Sequence, residues 1–175
     1  MSLRVVYMGT PQIACPSLEA LTQIDGYDVV GVFTQPDKPT GRGKKIQSSA
    51  IKYLAQSLGL NIFQPISLKG PAIEQTIRSL DLDLIVVMAY GRILPQKILD
   101  LSKFGALNIH ASILPRHRGA APIQWAIIEG DNETGVSLMK MDAGMDTGDV
   151  VSTMAIPIEE TDSTVELTKK ISQLG

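Results

Sequence analysis

Two stretches of this chain carry side-chain types that can do acyl or proton chemistry together. In the first, Asn108, His110 and Ser112 end a short apolar run and stand just before the Pro-Arg-rich turn Pro115-Arg116-His117-Arg118-Gly119. If the run is a strand, alternation puts the three polar residues on one side of the backbone. An amide can donate to a developing oxyanion, and an imidazole, which changes charge near neutral pH, can move a proton. The second stretch, residues 141–149, sets Asp142, Asp146 and Asp149 among Gly144 and Gly148 between two strand-like runs. A carboxylate there can reach the histidine, orient its ring, favour its charged form or hold a water that shuttles a proton. Asn-x-His alone is a short motif, and it also fits a satisfied histidine at a strand end beside a turn residue.

The elements needed to position these groups are legible as an alternation of strands and helices. Leu3 to Met8 is an apolar run of strand length closed by Gly9-Thr10-Pro11, and a helix through Ile13, Leu18 and Leu21 is expected from Pro11. Val29 to Phe33 is the next strand, completing a βαβ unit. A helix capped by Ser48 or Ser49 is expected to end at Gly59, followed by a short strand at Ile62-Phe63 and a helix over residues 71–80. Residues 83–89 form an uninterrupted apolar strand, as burial on both faces of a parallel sheet requires. A short helix is expected over residues 98–104. A further one should run from Pro122 to Gly130, with Trp125 and Ile128 as packing residues. Paired strands over 134–141 and 149–157 and a last helix opened by Thr161-Asp162-Ser163-Thr164 complete the chain. The expected fold class is α/β: an open, mostly parallel, Rossmann-like sheet with helices on both faces, forming one domain over residues 1–175. Such sheets hold ligands beyond the C-terminal ends of their strands.

Composition narrows the function. The 175 residues are long enough for one domain with its own core, and 44% apolar content is that of a globular chain. One cysteine excludes an intrachain disulfide and fits a reducing compartment, and with only two histidines it leaves no ligand set for a structural zinc. The N-terminal apolar run is too short for a signal peptide, and the run from Leu84 to Tyr90 is far below bilayer length, so a cytoplasmic protein without membrane contact is expected. Gly9-Thr10-Pro11 lacks the glycines of a dinucleotide-binding turn.

Residues 34–49 are polar and rich in proline and glycine, which predicts a loop. Between positions 36 and 45 they carry Lys38, Arg42, Lys44 and Lys45 against Asp37, a local excess of positive charge on a chain of net charge −2. Gly41-Arg42-Gly43-Lys44-Lys45 is not a phosphate-binding Walker loop, since the spacing and the following hydroxyl residue are missing. A solvated basic loop is one reading. A loop that lies against nucleic-acid phosphates is the other.

Taken together, Asn108-x-His110, Ser112-x-x-Pro115-x-x-Arg118-Gly119 and the Asp-Gly series from Asp142 to Asp149 resemble the folate-dependent formyltransferases. Met8-Gly9-Thr10-Pro11, Thr34-Gln35-Pro36-Asp37 and the Gly41 to Lys45 stretch are similar to the methionyl-tRNA formyltransferase branch. The resemblance implies transfer of a formyl group from 10-formyltetrahydrofolate, without a metal, to the α-amino group of initiator methionyl-tRNA. It implies Asn108, His110 and Asp146 as the catalytic set, Asp146 being preferred to Asp142 and Asp149 because it matches the family's motif. It implies a folate site from Met88, Tyr90, Arg92, Ile93 and Leu94 together with Ser112, Ile113, Leu114 and Pro115. Arg42, Lys44 and Lys45 would contact tRNA, with Arg42 matching the key arginine of that loop. His117 reads as a surface or tRNA-facing residue, and Thr10 and Pro11 as walls of the amino-acid site. A monomer is expected. Members of this branch continue into a C-terminal β-barrel domain that helps hold tRNA. Its absence from these residues is read as a fragment holding the catalytic domain, expected to bind folate yet formylate tRNA poorly.

Three alternatives share parts of the pattern. A formyltransferase for a small amine would use the same three residues but gives no reason for the basic 34–49 stretch. A 10-formyltetrahydrofolate hydrolase would pass the formyl group to water. A non-enzymatic RNA-binding module would use the cations, but 5% aromatic residues leave no visible stacking platform, and Asn108, His110 and Asp146 would have no role.

Overall fold

Strand β1 (Leu3–Gly9) has Val5, Val6, Tyr7 and Met8 all at 0% exposure, and its alternation divides them between two cores. Val5 and Tyr7 pack with Leu18, Ile51 and Ala55, while Val6 and Met8 pack with Ile77, Leu82 and Ile98. A strand buried this way needs helices above and below it. Helices α1 (Cys15–Gln23) and α2 (Ala50–Ser57) cover the first face, and α3 (Pro71–Ser79) and α4 (Gln96–Leu99) the second. The computed structural model that shows this describes residues 2–40 and 45–175.

The main sheet has seven strands among the described residues, in the order β5-β2-β1-β6-β7-β8-β9. Beside β1 these are β2 (Tyr27–Phe33), β5 (Ile62–Phe63), β6 (Leu84–Met88), β7 (Ala106–His110), β8 (Glu133–Lys140) and β9 (Val150–Pro157). The five strands from β5 to β7 are parallel, and β8 and β9 add antiparallel at one edge. The expected open, mostly parallel α/β sheet with helices on both faces is therefore the fold. The order reverses between β1 and β6, which opens a crevice at their C-terminal ends. Helices α5 (Pro122–Ile128) and α6 (Thr164–Leu174) close a third cluster, in which Ile123, Val136, Leu167 and Ile171 are buried. The Ser163 hydroxyl caps α6 by accepting from the amides of Val165 and Glu166.

Glycine at position 9 follows from packing. A β-carbon there would stand 2.9 Å from the Tyr7 ring, 3.0 Å from the Ala14 side chain and 3.1 Å from the Met88 carbonyl. The close approach lets the chain leave β1 against β6. Tyr7 holds the far side, its hydroxyl donating to the Ala14 carbonyl at 2.7 Å, and burial pushes its phenol pKa up.

Four local expectations need correction. The first helix begins as a 3-10 turn over Gln12–Ala14 and becomes α-helical only at Cys15, because Pro16 removes a donor from the first turn. The helix expected over 98–104 lies earlier, over Gln96–Leu99, where Pro95 precedes it. Part of the 34–49 stretch is a two-stranded antiparallel ribbon, β3 (Lys38–Thr40) and β4 (Lys45–Gln47), rather than a loop throughout. Trp125 and Ile128 are not packing residues. They are 48% and 69% exposed, because the inner face of the short α5 is taken by Ile123 and Ala126. Among the described residues, no helix is long and apolar enough to cross a membrane.

Candidate functional site

Strand β7 ends at His110, and its alternation sends Asn108 and His110 to one face. They meet Asp146, which sits on the 141–149 segment joining β8 to β9. The Asn108 side-chain amide donates to one Asp146 carboxylate oxygen at 3.2 Å. The other oxygen lies 3.4 Å from His110 Nδ1 and accepts the Gly119 amide at 2.8 Å. His110 Nε2 donates to the His117 main-chain carbonyl at 3.0 Å. Both ring nitrogens thus face acceptors, and the carbonyl, which only accepts, calls for a proton on Nε2. His110 is 7% and Asp146 17% exposed, so the pair is shielded without being sealed.

The other two acids do different work. Asp142 accepts the Gly144 amide at 2.9 Å and the Thr147 hydroxyl at 2.7 Å, and so folds the loop on itself. Asp149 is exposed, and its carbonyl accepts the Lys140 amide at 2.9 Å. Gly148 lies beneath this connection, where a β-carbon would run into the Lys140 carbonyl.

An open cleft of about 770 Å³ lies over the three residues, and Asn108, His110 and Asp146 all line it. A cavity of this size accepts a small-molecule ligand. Met88, Tyr90, Arg92, Ile93 and Leu94 line it as well. Among them Met88, Tyr90 and Leu94 are buried, whereas Ile93 is 74% exposed at the rim. Arg92 donates to the Pro65 carbonyl at 3.1 Å and also to the Ile66 carbonyl, so it fastens the wall to the segment after β5. The Thr10 hydroxyl donates to the Tyr90 carbonyl at 2.9 Å, joining the ends of β1 and β6 across the crevice, and Pro11 lines the cleft beside it.

Ser112, Ile113, Leu114 and Pro115, expected in the folate site, do not line this cleft. The strand stops at His110, so Ser112 does not continue the alternation. The Ser137 hydroxyl on β8 donates to the Ser112 carbonyl at 2.8 Å and accepts the Leu114 amide at 3.0 Å, turning the chain back over β8. The fully buried Ser112 hydroxyl closes that turn by donating to the Arg116 carbonyl at 2.6 Å. His117 is likewise not a surface residue. Its side chain is 8% exposed and donates to Asp131 at 2.6 Å. Of the cations expected to meet tRNA, Lys45 is exposed on β4, and Arg42 and Lys44 lie outside the described residues.

Two groups that hold His110 and Asp146, the His117 carbonyl and the Gly119 amide, belong to the main chain and leave no residue-type signal in a sequence. The backbone does mark the place. Five described non-glycine residues have positive φ, and four of them, Ala89, His117, Ala121 and Asp146, either line the cleft or touch His110. Left-handed backbone costs a residue with a side chain roughly 1–2 kcal/mol, and such residues gather at functional sites. The one described group with metal-ligand proximity is His117, Glu129 and Asp131, whose ligand atoms lie within 4.8 Å of one another. The Arg116 guanidinium already bonds both carboxylates there.

A doubly wound α/β sheet with an amide, an imidazole and a carboxylate at its switch-point crevice defines the class. Residues 3–175 match the family model described as formyl transferase, and the chain belongs to that family. It is 49% identical over 173 residues to a methionyl-tRNA formyltransferase of Geobacter sulfurreducens, covering 99% of this chain and 54% of that protein. Against a methionyl-tRNA formyltransferase of Geotalea uraniireducens it is 47% identical over 173 residues, covering 99% and 55%. The chain thus spans about half the length of these curated relatives. Among solved structures, glycinamide ribonucleotide transformylase 1 from Symbiobacterium toebii shares the fold with a TM-score of 0.80 at 20% identity, over 98% of this chain and 81% of that one.

Proposed function

We propose that residues 1–175 form a catalytic domain that transfers a formyl group from 10-formyltetrahydrofolate to the α-amino group of initiator methionyl-tRNA. The reading is carried by one observation: Asp146 reaches both Asn108 and His110 in the wall of a cleft large enough for a folate. The apolar stretch Met88 to Leu94 along that cleft suits the flat body of such a ligand.

The reaction has three needs, and each has a candidate residue. The attacking amine must be neutral. The oxygen of the formyl carbon gains negative charge, and the Asn108 amide and the His110 ring can donate to it. One such donor is worth about 3 kcal/mol. The nitrogen that leaves must take up a proton and the attacking nitrogen must lose one. The charged His110 ring can give the first and recover the second, and the Asp146 carboxylate beside Nδ1 is the partner that stabilises its charge. A ligand that takes a proton from Nε2 would have to displace the His117 carbonyl. The polypeptide's own donors suffice for these steps, so the reading includes no metal.

The acceptor is argued from the basic segment. Lys38, Arg42, Lys44 and Lys45 suit a phosphate-bearing partner and have no purpose toward a small amine. Similarity to relatives named methionyl-tRNA formyltransferase supports the same acceptor. With Cys15 its one free and buried thiol, the protein fits the cytoplasm, and we take it to act as a monomer.

The test is formyl transfer from 10-formyltetrahydrofolate, at high protein concentration, to methionylated initiator tRNA and to water in parallel. Formyl-methionyl-tRNA that disappears in His110→Ala is the expected result. Formate release without aminoacyl-tRNA product would replace this reading with the hydrolase.

A further inference from the structure

The turn between β7 and α5 is fastened by a carboxylate that lies outside the cleft. Asp131 follows α5 and is 14% exposed. One of its oxygens accepts His117 Nε2 at 2.6 Å and Arg116 Nε at 2.8 Å, while the other takes the terminal nitrogen of Arg116. Two consecutive side chains are therefore clamped by one carboxylate. The main chain between them is held as well, because the Arg116 carbonyl accepts the Ser112 hydroxyl at 2.6 Å. His117 is left with φ of 55°, and this left-handed twist turns its carbonyl onto His110 Nε2 at 3.0 Å. Positive φ is uncommon for a residue with a side chain, although histidine tolerates it better than most. Here the Asp131 carboxylate grips the side chain from outside while the carbonyl faces inward.

We propose that Asp131 is a positioning residue for His110. Acting through His117, it keeps the proton on Nε2 and the ring in place until a ligand displaces the His117 carbonyl. His110 then has two holders. Asp146 lies at Nδ1, inside the cleft. The His117 carbonyl lies at Nε2, and its place is set by Asp131 from the far side of the turn. A carbonyl only accepts, so Nε2 must be protonated and the ring cannot turn over without losing that bond. Removing the grip on His117 releases its strained backbone toward an ordinary φ. The carbonyl swings away and the ring samples both tautomers. Glu129 and Arg116 complete the clamp, and Asp131 hydrogen-bonds the side chains of both Arg116 and His117.

The catalytic part of this inference rests on the formyl-transfer reading of His110; the structural part does not. The experiment therefore has two readouts, the proton pattern on the His110 ring from long-range 1H–15N spectra and steady-state formyl transfer. The sequence contains two histidines, so a His117→Gln variant leaves His110 as the one imidazole and assigns its signals. Glutamine keeps a side-chain donor for Asp131, and this variant should retain the Nε2-protonated pattern. Asp131→Asn should give mixed tautomer signals and lower kcat by about 10–100-fold, as loss of a supporting partner commonly does, with KM within twofold. Should Asp131→Asn fail to fold, His117→Leu, which leaves the Arg116–Asp131 pair in place, should give the same two changes. An unaltered His110 ring pattern in Asp131→Asn, or in His117→Leu where that variant stands in, overturns the proposal. So does a loss of kcat/KM that lies wholly in KM, with kcat unchanged. A parent protein that transfers no formyl group while its ring pattern responds to Asp131 would defeat the functional reading and leave the positioning role standing.

Discussion

The turn over residues 111–121 and the ribbon over residues 38–47 are both polar, rich in glycine or proline, and joined to the ends of parallel strands, yet they are held in opposite ways. In the turn, side chains and main-chain groups alike are tied down: Ser112 to Arg116, Leu114 to Ser137, His117 to Asp131 and Gly119 to Asp146. The ribbon is secured at its base. Gln35 donates to the Tyr90 and Gly91 carbonyls, Gln64 to Asp37, and Lys52 pairs with Asp37 at 2.6 Å. Beyond that base, Lys38, Pro39, Lys45, Ile46 and Gln47 are exposed, and β3 and β4 form a two-stranded sheet of their own. Proton transfer needs donors fixed to within a fraction of an ångström, and fixing them takes burial and hydrogen bonds. Contact with phosphates needs reach and charge, which burial would remove. On the proposed reading the two segments meet those needs separately, and substitutions should separate them too.

The largest effect is expected where the turn closes on the site. His110→Ala should lower kcat for formyl transfer by about 10²–10⁴-fold, with a thermal midpoint close to that of the parent. Turnover near the parent value would mean that the fixed cluster is structural. Asp146→Asn should follow with a loss of about 10–100-fold in kcat, read beside an unchanged KM for 10-formyltetrahydrofolate. Its amide keeps one acceptor for Gly119 but no longer offers a charge to Nδ1. In the ribbon, Lys45→Ala should leave the folate KM alone and weaken initiator tRNA binding a few-fold. The slope of log affinity against log salt should then fall by about one. Arg42→Ala should reduce discrimination between initiator and elongator tRNA more than it alters folate binding. An equal effect on both substrates would erase the division of labour between the two segments.

How much of this could be read from the chain depends on the range of the interactions. β1 and β6 are legible because burial on both faces demands unbroken apolar runs. Asn108 and His110 are legible because a strand's alternation is local. Asp146 stood out among three aspartates through a family resemblance, and the geometry that distinguishes it from Asp142 lies in partners 38 and 27 residues away, Asn108 and Gly119. Ser112 was expected beside His110 because the alternation gives no sign of where the strand stops. A serine 25 residues further on, Ser137, captures the chain there. His117 between two arginines looks like a surface residue until Asp131, 14 residues later, folds back onto it. The ribbon escaped notice since Lys38-Pro39-Thr40 shows neither alternation nor β-branched enrichment beyond one threonine, and short exposed pairs have little else to signal them.

The smallest effect concerns acid. The guanidinium of Arg116, joined by the His117 ring, holds the Asp131 carboxyl down at about 2 from an ordinary 3.8, and Lys52 with Gln64 holds Asp37 below the ordinary range in the ribbon base. The unfolded chain takes up the Asp131 proton at higher pH than the folded chain does, so this carboxylate stabilises the fold above about pH 4 and loses that contribution as pH falls toward 2. Asp37 acts in the same direction on the ribbon base alone. Arg116 is 54% exposed, so solvent screens the pair and the contribution of Asp131 is of order 1 kcal/mol. Unfolding free energies from urea titrations at pH 5 and pH 2.5 should therefore differ less in Asp131→Asn than in the parent, by about that amount. Asp37→Asn should leave the global transition unmoved, since the ribbon can open without the sheet. If instead the two variants shift the global acid transition alike, the ribbon is coupled to the core as firmly as the turn is. The contrast between a fixed turn beside the cleft and an independently held basic ribbon would then fail on thermodynamic grounds.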